Sequence, residues 1–350
     1  RIDRVEDTEA RLVEAVRVEP GIYERSSDIE TNIVVTQFVP PLPVYSKFMD
    51  LPLITGDELP HAPHLASTAA DWPGTAAVYA SVSGSNYELL TTVNQPATLG
   101  EVLDPVPMGP CGIRDIANTV RVRLTRGTLA NITDEAFLAG GNLAASGDGS
   151  PEGWELFQFQ YATPIDDNIY DLSVLLRGQA GSDAQMPPVW PAGSVCVLMD
   201  SAVGQLNLPS STRNLSQSYR IGPSGRPFDD PSYSADQFAF RGIGLRPYAP
   251  VHLKASFWPG GTSFEWVRRT RTDGDVWDGG DVPLGEAFEA YRVRIFKDGA
   301  LLRETVVTAP TWFYSAQDHA DDAVSEPFEI TVAQISERFG AGAEATLTVA

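Results

Sequence analysis

Residues 291–300 read Tyr-Arg-Val-Arg-Ile-Phe-Lys-Asp-Gly-Ala. Tyr291, Val293 and Ile295 fall on one side of an extended chain and Arg292 and Arg294 on the other, the period of a half-buried strand. Asp298-Gly299 then supplies a hairpin turn, because glycine accepts the positive φ that such turns require. Upstream, Phe264 and Trp266 share one face of a neighbouring run, and Val251 and Leu253 begin an earlier one. Downstream, Phe328, Ile330, Val332 and Gln334 alternate ahead of Gly340 and Gly342, and Leu347 and Val349 close the series. Evenly spaced strands of this kind, over about a hundred residues, predict one small β-sandwich with Trp266 and Tyr291 in its core.

The same periodicity recurs upstream, and helical periodicity is nearly absent, so the fold class is mostly β. Strands are expected at residues 33–38, 76–82, 119–124, 155–161, 170–176 and 194–199, punctuated by many of the 30 glycines and 27 prolines. Two short helical turns are predicted, one capped by Thr133 ahead of Asp134 and Glu135, the other at Ser315 with Asp318 at capping-box spacing. Stiff proline clusters at Pro40-Pro41-Leu42-Pro43 and between Pro247 and Pro250 mark joints. They divide the 350 residues into end strands of an upstream domain plus connector (1–45), a β-rich body (46–244) and the sandwich (245–350). The chain starts at Arg1 in strand-like sequence with no leader pattern, so it is expected to be the interior of a longer polypeptide.

Acidic side chains number 46 against 25 basic ones, a formal charge of −21. A body this negative is repelled by phosphate backbones and anionic lipid surfaces alike. No apolar run approaches the ~20 residues needed to cross a bilayer as a helix. Cys111 and Cys196 are far apart and lack a CxxC pair, which excludes a disulfide framework and a zinc site, although their pairing with each other stays open.

Candidate chemistry is sparse. The loop from Asp273 to Asp281 clusters carboxylates of the kind hard cations prefer, but Trp277 and Leu284 stand where an EF-hand needs ligands. Arg268, Arg269 and Arg271 invite an anion, yet ion pairing to that acidic loop and across strands is expected instead. His61 and His64 have HxxH spacing, but Pro60 and Pro63 forbid the helix that would converge them. Gly222-Pro-Ser224-Gly-Arg226 lacks the final glycine of a nucleophile elbow and has no evident buried strand before it. Neither Gly193-Ser194 nor Gly140-Gly141 ends in the Gly-Lys-Ser/Thr of a phosphate loop. No catalytic residue, metal ligand or cofactor site is therefore assigned. Among Trp154, Trp190, Trp258 and Trp312, aromatics able to stack on sugar rings, Trp258-Pro-Gly-Gly is the best candidate, since a tryptophan in a turn gains little from burial.

Two resemblances follow from these residues. The proline-led first strand, the early buried Trp266, the Tyr291-led strand and the late Gly-x-Gly turn resemble a fibronectin type III sandwich. The segments Trp266 to Phe296, Ala309 to Gln317 and Ile330 to Gly342 resemble the C-terminal region of the large baseplate protein of gene transfer agents and related siphophage-like tails, the megatron or host-specificity protein. Residues 51–64, 153–162 and 170–183 resemble the tail-hub part of that family. The resemblance implies a non-enzymatic virion component at the tail tip, a homotrimer around the tail axis that caps the tube beside other baseplate proteins such as the tail hub and distal tail protein. It implies attachment to an envelope receptor or glycan, envelope penetration, and delivery of DNA that passes without specific binding. Any hydrolase domain of the family lies outside these residues. The alternative is an extracellular glycan-binding or glycoside-hydrolase accessory module presenting Trp258.

Overall fold

The computed structural model describes residues 1–17, 43–272, 274 and 282–350. The expected strand at 33–38 and the acidic residues of the Asp273–Asp281 loop lie outside the described residues. The chain divides into two units, Arg1–Pro40 and Pro41–Ala350.

In the first unit, Ile2–Asp7 pairs antiparallel with Arg11–Ala15, Val5 opposite Val13 and Asp7 opposite Arg11. Ile2, Val5, Leu12, Val13 and Val16 are all exposed.

The second unit contains three β bodies. Strands Tyr45–Met49, His64–Thr68 and Gly204–Gln205 form one sheet, and Ala76–Ser81, Glu88–Val93, Gln217–Pro223 and Ser234–Phe238 form another. Phe48, Leu65, Val78, Leu206, Tyr219 and Ile221 are buried together as their common core. Phe48 packs its ring 4.8 Å from that of Tyr219.

Between the two halves of that body the chain makes a barrel. Leu99–Val102, Val120–Arg126, Leu143–Gly147, Trp154–Asp166, Ile169–Leu176 and Val195–Leu198 pair antiparallel, and the contact of Val120–Arg126 with Ile169–Leu176 closes the ring. Val122, Phe157, Phe159, Leu172 and Leu175 belong to one buried cluster, while Trp154, Leu156 and Val197 belong to another against the adjoining body. The expected single β-rich stretch 46–244 thus holds a barrel inserted into a discontinuous sandwich. Gly100 sits where the strands press closest, because a Cβ there would lie 2.0 Å from the Arg123 carbonyl oxygen.

The C-terminal strands form two sheets. One has the order Val251–Trp258, Gly261–Val267, Thr311–Ser315, and the other Ala300–Val307, Tyr291–Lys297, Phe328–Ser336, Gly340–Val349. This three-plus-four arrangement is the fibronectin type III-like order. Phe264, Trp266, Tyr291, Val293, Ile295, Ile330 and Val332 are buried between the sheets, as the alternation predicts. Trp266 meets Tyr291 edge-on at 5.2 Å. Asp298 and Gly299 both adopt positive φ in the hairpin turn. Both predicted caps form: the Thr133 hydroxyl accepts from Ala136 N, and Ser315 and Asp318 make a reciprocal capping box.

Candidate functional site

Trp258 ends the first strand of the sandwich, paired with Gly261 across a tight turn. Its pleat parity places it on the outward face of the three-stranded sheet with Ser256, Ser263, Phe313 and Ser315, opposite to the buried Phe264 and Tyr314. Trp258 is 64% and Phe313 49% exposed, and the middle strand between them carries only Gly261 and Ser263. Gly261 is required: its φ is +145° and a Cβ would lie 2.2 Å from the Tyr314 carbonyl oxygen. Trp258 and Phe313 thus share one exposed face of the sheet with Ser256 and Ser263. Lys254 and Glu265, next along the same face, neutralise each other at 3.0 Å. Sequence reasoning selected Trp258 from its turn but missed Phe313, whose outward parity needs the strand register. Trp154 and Trp190 are buried, and Trp312 stacks on Tyr314 at 5.0 Å, so none of the three is presented to a ligand as Trp258 is.

The other sequence candidates do not converge. His61 Nε2 contacts the Leu208 carbonyl oxygen at 2.8 Å, and the Glu58 carboxylate caps the amides of Thr55 and Gly56. His64 is buried, and burial holds its imidazole below the ordinary range. Among the described residues no three His, Cys, Asp or Glu side chains are grouped to hold a metal ion. Both cysteines are free, Cys111 exposed and Cys196 buried. No helix among the described residues is long and apolar enough to cross a membrane.

Two expectations need correction. Ser224 does follow a buried strand, Gln217–Pro223, whose small residues at 222 and 223 hid its alternation; the strand runs into an exposed turn and not a helix. Arg268, Arg269 and Arg271 lie beyond the strand, which stops at Val267. Among the described residues they pair with Glu289, Asp183 and Glu286 at 3.2, 2.9 and 3.0 Å, while the expected pairing with the acids of the Asp273–Asp281 loop falls on residues outside the described ones.

Arg269 and Arg271 belong to a joint between sandwich and body. Arg269 reaches from the sandwich to Asp183 and lies 5.2 Å from the Tyr248 ring, while Arg271 donates to the Gly244 carbonyl. From the body, Arg213 donates to the Arg338 carbonyl at 2.6 Å, and Arg213 and Arg241 both sit over Phe339. The Asp50 carboxylate accepts from the amides of Arg241, Gly242 and Ile243 at 2.8 to 2.9 Å, fixing the chain as it enters the sandwich. Burial pushes the Asp50 carboxyl up to about 6 against those three donors.

The barrel holds a feature no motif announced. Glu155 and Arg177 are both buried and bonded twice, Nε to Oε1 at 2.6 Å and Nη2 to Oε2 at 2.7 Å. Trp190 Nε1 and the Gly178 amide also donate to Glu155, and Asp115 stands 3.9 Å from Arg177. Glu155, Arg177 and Trp190 line a cavity too small for any ligand larger than water, with the Ser146 hydroxyl buried and unpartnered at its wall.

No curated protein matches the chain. Among solved structures, the FN1–FN3 domains of chicken CNTN1 match at 9% identity, covering 89% of this chain and 99% of that one, with a TM-score of 0.21. Assignment of the sandwich therefore rests on its own strand order. Residues 97–197, under a third of the chain, match the family described as Rcc01698-like, C-terminal. That stretch runs from the first barrel strand to the last, so the inserted barrel is the part of this protein similar to a gene transfer agent-associated protein of Rhodobacter.

Proposed function

We propose that the chain is a structural component of a phage-like tail baseplate, placed at the tail tip of an extracellular particle, where it helps cap the tube and takes part in envelope attachment, penetration and DNA delivery. The observation that carries this reading is the coincidence of the family match with the whole barrel. The packed interior supports it, because such a barrel transmits force and offers no chamber for a substrate. The joint supports it too, since the Arg269–Asp183 pair and the Arg271 bond to the Gly244 carbonyl tie the sandwich to the body. In this reading the chain is not an enzyme and works as a homotrimer beside the tail-hub and distal tail proteins. Its negative charge lets DNA pass without adhering. Particles assembled without the gene should lack a closed tip and deliver no DNA. Intact, infectious particles from the deletion strain would refute the proposal.

A second reading is favoured by the exposed face that Trp258 and Phe313 share. Exposed aromatic rings stack on the C–H faces of sugar rings while the hydroxyls of Ser256 and Ser263 meet their oxygens, so this face suits an uncharged glycan of the host envelope. On a glycan array the chain should show saturable binding that Trp258→Ala abolishes. Binding unchanged in that variant, or none at all, would exclude the site.

A further inference from the structure

Ser146 stands in the barrel strand Leu143–Gly147, opposite Glu155 on one side and Cys196 on the other. Residues directly opposite in antiparallel strands project to the same face. Hydroxyl, carboxylate and thiol therefore all turn into the barrel, on the side where Ala144, Phe157 and Phe159 are buried. Ser146 is 4% exposed, and its hydroxyl has no partner among the described residues. Other buried serines of the barrel region do have one: Ser182 donates to the Gln179 carbonyl at 2.7 Å and Ser194 to the Pro191 carbonyl at 2.8 Å. Buried hydroxyls are as a rule paired, to protein or to ordered water.

The neighbouring charges do not serve that hydroxyl directly. Glu155 already accepts from Arg177 Nε and the Gly178 amide on Oε1, and from Arg177 Nη2 and Trp190 Nε1 on Oε2. Four donors fill the lone pairs of a carboxylate. Arg177 uses three of its five N–H groups, two on Glu155 and one on the Pro107 carbonyl. Asp115, at 3.9 Å, lies too far to bond with the remainder. Two N–H groups of a buried guanidinium and one buried hydroxyl are thus left over beside a single cavity, which Ser146, Glu155, Arg177 and Trp190 line.

We infer that this cavity is a binding site for one water molecule, which accepts from an Arg177 N–H and bonds the Ser146 hydroxyl. Size and charge select that occupant. The cavity has room for about one water. Glu155 and Arg177 balance each other, so a cation would meet the guanidinium and an anion the carboxylate. An apolar guest would leave the hydroxyl and the N–H groups unpaired. Water pairs both, and it joins the serine strand to the ion pair and, through Arg177, to the Pro107 carbonyl. Every residue lining the cavity is buried, so this water reaches solvent only when the barrel opens. The site is independent of the baseplate reading.

A crystal structure of the 350-residue chain, at a resolution that orders solvent, tests this. Density for one water within hydrogen-bond distance of Ser146 Oγ and an Arg177 nitrogen is the expected result. No density in the cavity, an ion there, or a Ser146 hydroxyl turned onto a protein carbonyl would overturn the inference. Thermal unfolding supplies an independent sign. Removing a hydroxyl that a water satisfies leaves that water and Arg177 short of a partner, so Ser146→Ala should lower the barrel transition by about 2–4 °C. Removing a hydroxyl with no partner instead relieves a desolvation penalty, so an unchanged or raised transition would count against the site. Ser146→Val carries methyl groups into the cavity and should displace the water. Magnetic relaxation dispersion of water oxygen-17 should then report one long-lived water fewer than in the unaltered chain; equal numbers in the two would also overturn the inference.

Discussion

Arg177→Met would leave Glu155 in the barrel with two of its four hydrogen bonds, those from Trp190 Nε1 and the Gly178 amide. Methionine fills much of the space but supplies no donor, so a carboxylate with no exposed surface loses the cation that made burial tolerable. Removing one partner of a buried pair costs about 3–5 kcal/mol. The lost hydrogen bond to the Pro107 carbonyl, at 3.3 Å, adds little to that. For a unit of this size each kcal/mol moves the midpoint by about 2–4 °C, so a fall of roughly 6–20 °C is expected in the transition that reports the barrel. Differential scanning calorimetry reads it. Coupling Arg177→Met with Glu155→Gln removes the stranded charge and keeps an acceptor for Trp190, so the double variant should recover about half the loss or more. A single variant less than about 1 kcal/mol below the unaltered chain, or a double variant with additive losses, would refute the view that this pair holds the barrel end together.

Three further outcomes follow from particular groups. Asp50 has its carboxyl raised from an ordinary 3.8 to about 6, so the folded state binds the proton more tightly than the unfolded state does. Stability should therefore fall by about 3 kcal/mol as pH rises from about 3.5 to 6.5, at 1.36 kcal/mol per unit, and urea titrations of Asp50→Asn should lack that slope. Trp266→Ala empties the sandwich core beside Tyr291 and should cost about 3–5 kcal/mol, read by urea unfolding of the C-terminal transition. Cys196 has its thiol pushed up to about 12 by burial, so a thiol reagent at neutral pH should modify Cys111 alone until the chain unfolds; two thiols labelling at equal rates in the native state would contradict the buried placement.

The sandwich was legible because its strands each bury one face. Tyr291, Val293 and Ile295 alternate with arginines, and Asp298-Gly299 can only turn, so period and punctuation agree. The caps at Thr133 and Ser315 were legible for a similar reason: their hydrogen bonds reach only three residues along the chain. The barrel was not. Leu143-Ala-Ala-Ser-Gly147 is buried along most of its length between two partners and shows no alternation, and ring closure depends on Val120–Arg126 meeting Ile169–Leu176 some fifty residues later. Insertion of the barrel into a body begun at Tyr45 and finished at Phe238 leaves no local mark. The Glu155–Arg177 pair escaped notice because either residue alone reads as a surface charge, and only their cross-strand geometry brings the two together. Trp258 announced itself through its turn, while Phe313 needed the register of Thr311–Ser315 against Gly261–Val267.

Electron cryo-tomography of intact particles carrying a compact label fused after Ala350 tests the central claim most directly. Label density confined to the end of the tail, in a symmetric set around its axis, is the predicted result. Density on the head, along the shaft, or absent from particles altogether would contradict it.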